Sequence, residues 1–192
     1  MVAKLGLRKV TGFPPFLFTR ELLANPSAMG AICSSSRRLA RNMAAFVPLH
    51  EQGLVVELGG GTGTVTAALL ERGVDCRRLV TVERSSQLAG HLRRRFPQIR
   101  VFHSDAAHLK DQIGGTPVSA VVSSLPLRSL PAVTVQAIVR QLNHVLPPGG
   151  TYIQFTYDLR SSPVRMPHRF KRVCSRVTWG NLPPARIDVF RA

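Results

Sequence analysis

Acidic residues are scarce in this chain: 10 Asp and Glu stand against 26 Lys and Arg over 192 residues, a formal charge of +16. So cationic a surface draws polyanions, either nucleic acid or the anionic face of a membrane, and composition does not choose between them; a solvated basic face without a partner is the plainer alternative. Cysteine is nearly absent. Cys33, Cys76 and Cys174 are odd in number, widely spaced and without a Cys-x-x-Cys pair or nearby histidines, which argues against a disulfide framework or a zinc site. Reduced thiols in the core of a cytosolic protein are the simpler reading. No apolar run approaches the roughly 18 to 20 residues of a membrane span. The opening MVAKLGLRKVTGFPPFLF mixes charge with an apolar patch, but Pro14 and Pro15 interrupt it and no small-residue cleavage site follows, so it is not read as a signal peptide. Internal repeats and low-complexity stretches are also missing. One domain with a sizeable core is expected at this length, with leading helices over residues 1–50 and an α/β domain over residues 51–192.

What is present centres on VVELGGGTGTVT, residues 55–66. Val55, Val56, Glu57 and Leu58 run into Gly59, Gly61 and Gly63, then into Val65, Ala68 and Leu69 at helical spacing, which reads as strand, tight turn, helix. A backbone pressed against a ligand at the open end of a parallel sheet has no room for Cβ atoms, and glycine meets that demand. Thr64 stands where the dinucleotide-binding Gly-x-Gly-x-x-Gly pattern needs its third glycine, and no Gly-Lys-Ser/Thr follows to cradle ATP phosphates. The acid before the turn, Glu57, marks the version of this loop that binds S-adenosylmethionine, with a carboxylate near the methionine portion. A glycine-rich connection in an unrelated α/β domain is the alternative.

The first fifty residues carry Lys4, Arg8, Lys9, Arg20, Arg37, Arg38 and Arg41 against the single acid Glu21. Phe13, Phe16, Leu17, Phe18, Leu22 and Leu23 suit a short amphipathic helix lying either on a bilayer or on the domain itself. A loop, SAMGAICSSS, then offers serines to cap a helix through Leu39, Met43 and Phe46. From Leu54 the pattern alternates: strand to Leu58, helix to Arg72, strand Leu79 to Glu83, helix with Leu88, Leu92 and Phe96, strand Arg100 to His103. This is one βαβαβ half of a doubly wound, Rossmann-like seven-stranded sheet. The second half brings a strand over Val118 to Val122, a helix carrying Val135, Ile138, Val139, Leu142 and Leu146, the Pro147-Pro148-Gly149-Gly150 stop, and a strand over Thr151 to Tyr157. Val173 to Trp179 and Ala185 to Phe190 close the sheet as a C-terminal β-hairpin.

Glu83 ends the second strand twenty residues after Gly63, the spacing at which an acid accepts from both ribose hydroxyls, with Arg84 next to it. Asp105 and Ala106 follow the third strand, where a carboxylate meets an adenine amino group and an amide meets the ring; Asp105 is also the best helix cap of the three acids. After the fourth strand, Ser123-Ser124-Leu125-Pro126-Leu127 lies across the switch point from the glycine loop. Amino-group methyltransferases place a polar residue and proline there, so Ser124 or Ser123 with the carbonyl of Leu125 and Pro126 is expected to hold an amine; an ordinary proline turn is the alternative. Tyr157 and Asp158 are the candidates for taking a proton or binding the ammonium, Tyr157 also by its ring face. The cofactor set is then Glu57, Gly59, Gly61, Thr62, Gly63, Glu83, Arg84, Asp105, Ala106 and Ser123, and the catalytic set Ser124, Leu125, Pro126 and Tyr157. Between Asp158 and Asp188 there is no acid, while Arg160, Arg165, Arg169, Lys171, Arg172 and Arg176 are interleaved with Pro163, Val164, Met166, Pro167 and Phe170. That mixture suits a flap meeting phosphates and apolar tails, with Arg37 and Arg38 adding charge from the leading helix; a solvated basic loop is the alternative. His168 has no evident partner.

Taken together, NPSAMGAICSSSRRLARNMA, VVELGGGTGTVTAALLERGV, VERSSQLAGHLRRRFPQIRVFHSDA, VVSSLPLRSLP, YIQFTYDLRSSP and NLPPARIDVFRA resemble the soluble bacterial phospholipid N-methyltransferases of the phosphatidylethanolamine-methylating type. The resemblance implies methyl transfer from S-adenosylmethionine, leaving S-adenosylhomocysteine, to the headgroup nitrogen of phosphatidylethanolamine towards phosphatidylcholine. It further implies a metal-free monomer attached peripherally to the cytoplasmic membrane. Gly60 departs from the family's usual proline, Cys33 from proline or alanine, Arg128 from an apolar residue, and Asp158 from glycine. Ornithine-lipid N-methyltransferases share the scaffold. The rival enzyme is an RNA adenine N6-dimethyltransferase, whose Asn-Leu-Pro-Tyr motif this chain lacks, and the non-enzymatic rival is a cationic membrane- or nucleic-acid-binding module on a degenerate fold. Nucleic acid is the weaker partner because the flap offers only Phe170 for stacking.

Overall fold

The computed structural model describes residues 29–160, 165–181 and 183–192, with the side chains of the first helix from residue 37 onward. The expected amphipathic helix over residues 13–23 and the flap residues Pro163 and Val164 lie outside the described residues.

Runs of β-branched and apolar residues with no polar alternation demand a strand covered on both faces. Three such runs become β1 (Leu54–Leu58), β2 (Leu79–Glu83) and β4 (Val118–Ser123), buried along their whole length. With β3 (Arg100–His103), β5 (Thr151–Thr156), β6 (Lys171–Thr178) and β7 (Ala185–Arg191) they form one sheet in the order β3-β2-β1-β4-β5-β7-β6. The strands β1 to β5 pair in parallel, and β7 inserts antiparallel between β5 and β6. The chain winds outward from β1 to β3, then returns to lay β4 on the other side of β1. A crevice therefore opens at the carboxyl ends of β1 and β4, where neighbouring connections leave in opposite directions.

Helices α1 (Met29–Ala44), α2 (Thr64–Glu71) and α3 (Ser86–Arg95) cover one face, where Leu39, Met43, Leu69 and Leu92 share a core with Val55, Ala120 and Ile153. Helices α4 (Leu109–Ile113) and α5 (Ala132–Val145) cover the other, packing Leu109, Ile138 and Leu142 on Val56, Leu58 and Val121. The expected elements of the α/β core form within a few residues of their expected bounds. At the leading end there is a shift: α1 starts at Met29, so Ser34, Ser35 and Ser36 lie inside the helix instead of capping it, and Phe46 falls in the turn beyond its end. The seam of Leu39, Ala40, Met43 and Ala44 buries one side of this helix, and tertiary packing outweighs the weak helix preference of serine. The short α4 and the 3-10 turn before it, Ala106–His108, show no period in the sequence because they are shorter than two turns.

Candidate active site

The glycine turn leaves β1 through three left-handed residues, Gly59 at φ 77°, Gly61 at φ 53° and Gly63 at φ 82°. Their surroundings separate their tasks. A Cβ on Gly59 stands 2.9 Å from Leu125 Cδ2, and one on Gly63 collides with the Phe96 ring, so these two positions are closed by packing. A Cβ on Gly61 meets nothing within 4 Å among the described residues, so against them this residue presents bare backbone to open space. Gly60 has a packing reason too, since a Cβ there collides with Thr81 Cγ2 and comes within 2.8 Å of Leu92 Cδ1. The proline usual among the sequences this chain resembles has no room in that packing. The Thr62 carbonyl accepts from Arg95 Nη1 at 2.5 Å, tying the turn to the end of α3.

Three acids follow, one near the carboxyl end of each of β1, β2 and β3. Glu57 is fully buried on β1; its Oε2 accepts from Thr66 Oγ1 at 2.6 Å and Thr81 Oγ1 at 2.8 Å, while Oε1 has no hydrogen-bond partner among the described residues. Burial pushes its carboxyl pKa up, and the two threonine hydroxyls act against that shift. Glu83 accepts from the Gly61 N–H at 2.9 Å through Oε2 and from the Ser85 N–H at 2.8 Å through Oε1. It thus holds the open face of the glycine turn against the end of β2 and still keeps lone pairs on both oxygens. Asp105 accepts from the Ala107 N–H at 2.9 Å, the cap role foreseen for it, and its Oδ2 lies 3.6 Å from Nε of the exposed Arg84. These residues fit S-adenosylmethionine. An unpartnered carboxylate oxygen suits the cationic amino-acid portion, a bare Gly61 backbone suits close approach, and Glu83 suits vicinal hydroxyls.

Across the switch point the two serines part company. Ser123 ends β4 and is fully buried; its hydroxyl accepts from the Leu125 N–H at 3.3 Å and meets the Tyr152 hydroxyl. Expected to touch the cofactor, Ser123 instead supports the loop from below. The Ser124 N–H donates to the Leu58 carbonyl at 2.9 Å, which sets the loop beside the glycine turn, and its buried Oγ has no partner among the described residues. Leu125 was expected to offer its carbonyl to an amine, but that oxygen already accepts from Leu127 N–H at 2.9 Å and Gln154 Nε2 at 3.0 Å. Two donors fill its two lone pairs. Leu125 acts through its side chain on Gly59, and Pro126 leads into the 3-10 turn Leu127–Ser129. Gln154, absent from the expected set, fixes this loop from β5; its one sequence signal is an amide set between the apolar Ile153 and the aromatic Phe155.

Tyr157 packs edge-on against Phe155 with ring centroids 5.3 Å apart. Burial raises its pKa, with the Asn181 side chain beside the hydroxyl acting against this, so the phenol stays neutral and is a poor proton acceptor. Asp158 pairs with Arg128, Oδ2 to Nη1 at 3.3 Å, joining the loops after β4 and β5. Two departures from the family pattern are thus partners of each other. Of the cationic set, Arg37, Arg38, Arg160, Arg165 and Lys171 are exposed, and Arg172 is exposed with its Nη1 3.5 Å from the buried Asp188. Arg169 is a correction: it donates to Asn143 Oδ1 at 2.6 Å and to the carbonyls of Asn143 and Leu146 at 2.7 and 2.8 Å, which makes it a cap for the end of α5, not a phosphate reader. His168 is exposed, as its lack of sequence partners suggested.

Residues 55–150 match the family model described as "Methyltransferase domain". The chain is similar to the ornithine lipid N-methyltransferase of Singulisphaera acidiphila, with 32% identity over 181 residues that span 88% of this chain and 92% of the relative. Among solved structures it resembles the magnesium protoporphyrin IX methyltransferase of Synechocystis with bound S-adenosylmethionine, at TM-score 0.65 and 14% identity over 94% of this chain and 98% of that one. It also resembles the N-methyltransferase NodS of Bradyrhizobium japonicum in complex with S-adenosylhomocysteine, at TM-score 0.63 and 13% identity over 92% and 97%. At those identities the two structures share a fold with this chain.

Proposed function

This chain belongs to the methyltransferase-domain family and uses S-adenosylmethionine, and from that membership we propose that it methylates the headgroup amine of a membrane lipid. The observation that carries the acceptor side is Ser124, whose buried and unpartnered Oγ sits in the loop that packs on Gly59, across the switch point from the open Gly61 backbone. The near full-length similarity to an ornithine lipid N-methyltransferase supports a lipid acceptor and favours an ornithine headgroup over the phosphatidylethanolamine expected from the sequence. Both headgroups offer a primary amine near an anionic group, and the charge of +16 supports peripheral attachment to an anionic membrane.

S-adenosylmethionine supplies an electrophilic methyl on a sulfonium. Glu83 holds the Gly61 turn in place, and Glu57 offers a buried acceptor oxygen to a cationic group. Ser124 Oγ would accept an N–H from the neutral amine and so turn the nitrogen lone pair towards the place where a bound sulfonium would present its methyl. Position and exclusion of water supply the rate. Neither Tyr157, a neutral phenol, nor Asp158, paired with Arg128, is needed as a base when the amine arrives deprotonated.

Incubating the full chain with methyl-labelled S-adenosylmethionine and separate pools of ornithine lipid, phosphatidylethanolamine and RNA tests this directly. Label is expected in the aminolipids, fastest in ornithine lipid. Label confined to RNA, or none in any lipid, contradicts it.

A further inference from the structure

We propose that Trp179, in the turn joining β6 to β7, is the anchor that seats the mouth of this site on an anionic bilayer; the proposal rests on the lipid-amine reading above. Trp179 is the chain's single tryptophan and is 74% exposed. Its place in the fold is fixed by register. Thr178 pairs with Ala185 and Thr156 pairs with Arg186, so this turn stands at the carboxyl end of β5, the same end of the sheet as the glycine loop and Ser124.

The turn is braced on both sides. Asn42 Nδ2 on α1 donates to Thr178 Oγ1 at 3.0 Å, Asn181 Nδ2 donates to the Pro183 carbonyl at 2.7 Å, and the Arg38 guanidinium lies over Gly180. A large indole held outward on a built turn is unusual for a protein surface in water, whereas at a headgroup layer its apolar ring and N–H are both accommodated. Exposed cations at the same end, Arg37 and Arg38 on α1, Arg160 on the loop after β5 and Arg176 on β6, supply the complement to lipid phosphates.

Other occupants fit less well. The strand β6 is the sheet edge, but the register shift at Val173 and the exposed Lys171, Arg172 and Arg176 blunt pairing with another protein strand. A single-stranded nucleic acid needs successive stacking rings, and among the described residues the exposed large hydrophobics are Val133, Val173 and Trp179. Docking at this rim presents a headgroup amine to Ser124 without extracting the lipid.

With one tryptophan, emission excited at wavelengths that the two tyrosines do not absorb reports this residue alone. On adding vesicles of phosphatidylglycerol and phosphatidylcholine, emission should move to shorter wavelength and be quenched by lipids brominated high on their acyl chains. The W179A variant should partition onto those vesicles about tenfold less, as burial of part of an indole predicts, yet match the unaltered protein on detergent-dispersed lipid. Unshifted emission from protein that sediments with vesicles overturns the proposal. So does quenching by single-stranded RNA with no response to vesicles, which assigns the surface to nucleic acid. Equal loss of activity in detergent and on vesicles makes Trp179 part of the substrate pocket and also overturns it. A lipid-induced shift without lipid methylation in detergent removes the lipid-amine reading and leaves the docking role standing.

Discussion

Gly61→Ala and Gly63→Ala introduce the same methyl two residues apart, and the structure predicts opposite failures. Both positions are left-handed, at φ 53° and 82°, so each alanine costs about 1–2 kcal/mol of folding stability for its backbone conformation. At Gly61 the new Cβ meets nothing within 4 Å, and the cost ends there. At Gly63 it strikes the ring of Phe96 and lies 3.1 Å from Leu92 Cδ2, both buried; overpacking adds about 1–3 kcal/mol, for a total of about 2–5 kcal/mol. That is a large share of the roughly 5–15 kcal/mol that hold a domain of this kind together. Cofactor affinity reverses the order. The methyl on Gly61 fills the approach to the bare backbone and should weaken S-adenosylmethionine binding by about 10- to 100-fold if the clash costs what overpacking does. Equilibrium urea unfolding gives the first quantity and calorimetric titration the second. If Gly61→Ala binds cofactor as the unaltered protein does, or loses as much stability as Gly63→Ala, the open face of this turn is not the cofactor face.

Glu57→Gln isolates the cost of a buried charge. Burial raises the Glu57 pKa, so the native chain binds this proton more tightly than the unfolded chain, and stability from this group falls as pH rises from the ordinary carboxylate value to the raised one. The E57Q variant cannot titrate, so its ligand-free stability relative to the unaltered protein should grow across that window and then level off; parallel unfolding curves from about pH 4 to 8 would disprove the shift. Ser124→Ala removes a hydroxyl that bonds nothing among the described residues, so stability should hold or rise slightly while kcat/KM falls by the roughly 0.5–1.5 kcal/mol of one hydrogen bond. Loss of stability with unchanged kinetics would make that hydroxyl structural. The rise of kcat/KM with pH should follow the lipid amine, since Tyr157 is held neutral; a changed midpoint in Y157F would restore Tyr157 as a base.

β1, β2 and β4 were legible because burial on both faces leaves short unbroken runs of β-branched and apolar residues, and three acids at successive strand ends are spaced by the winding itself. Ser123 and Ser124 show where reading stops. Adjacent serines are equivalent in a sequence, but successive side chains along an extended chain point to opposite sides, so the hydroxyl of Ser123 meets the Leu125 N–H and Tyr152 while the Ser124 Oγ, also buried, meets no partner among the described residues. Arg169 counted as one more positive charge until the end of α5 was seen to need a donor. The pair Arg128 and Asp158 joins residues thirty positions apart, a contact made by β4 and β5 lying side by side. The Leu125 carbonyl was lost to Gln154 for the same reason.

The central claim, that acids at neighbouring strand ends hold one sulfonium nucleoside, is tested most directly by titrating S-adenosylmethionine into the unaltered protein and into E83A. The account predicts one site per chain, weakened by about 1–3 kcal/mol in E83A through loss of bonds to a charged acceptor. Equal affinity in both, or no binding to the unaltered chain, contradicts it.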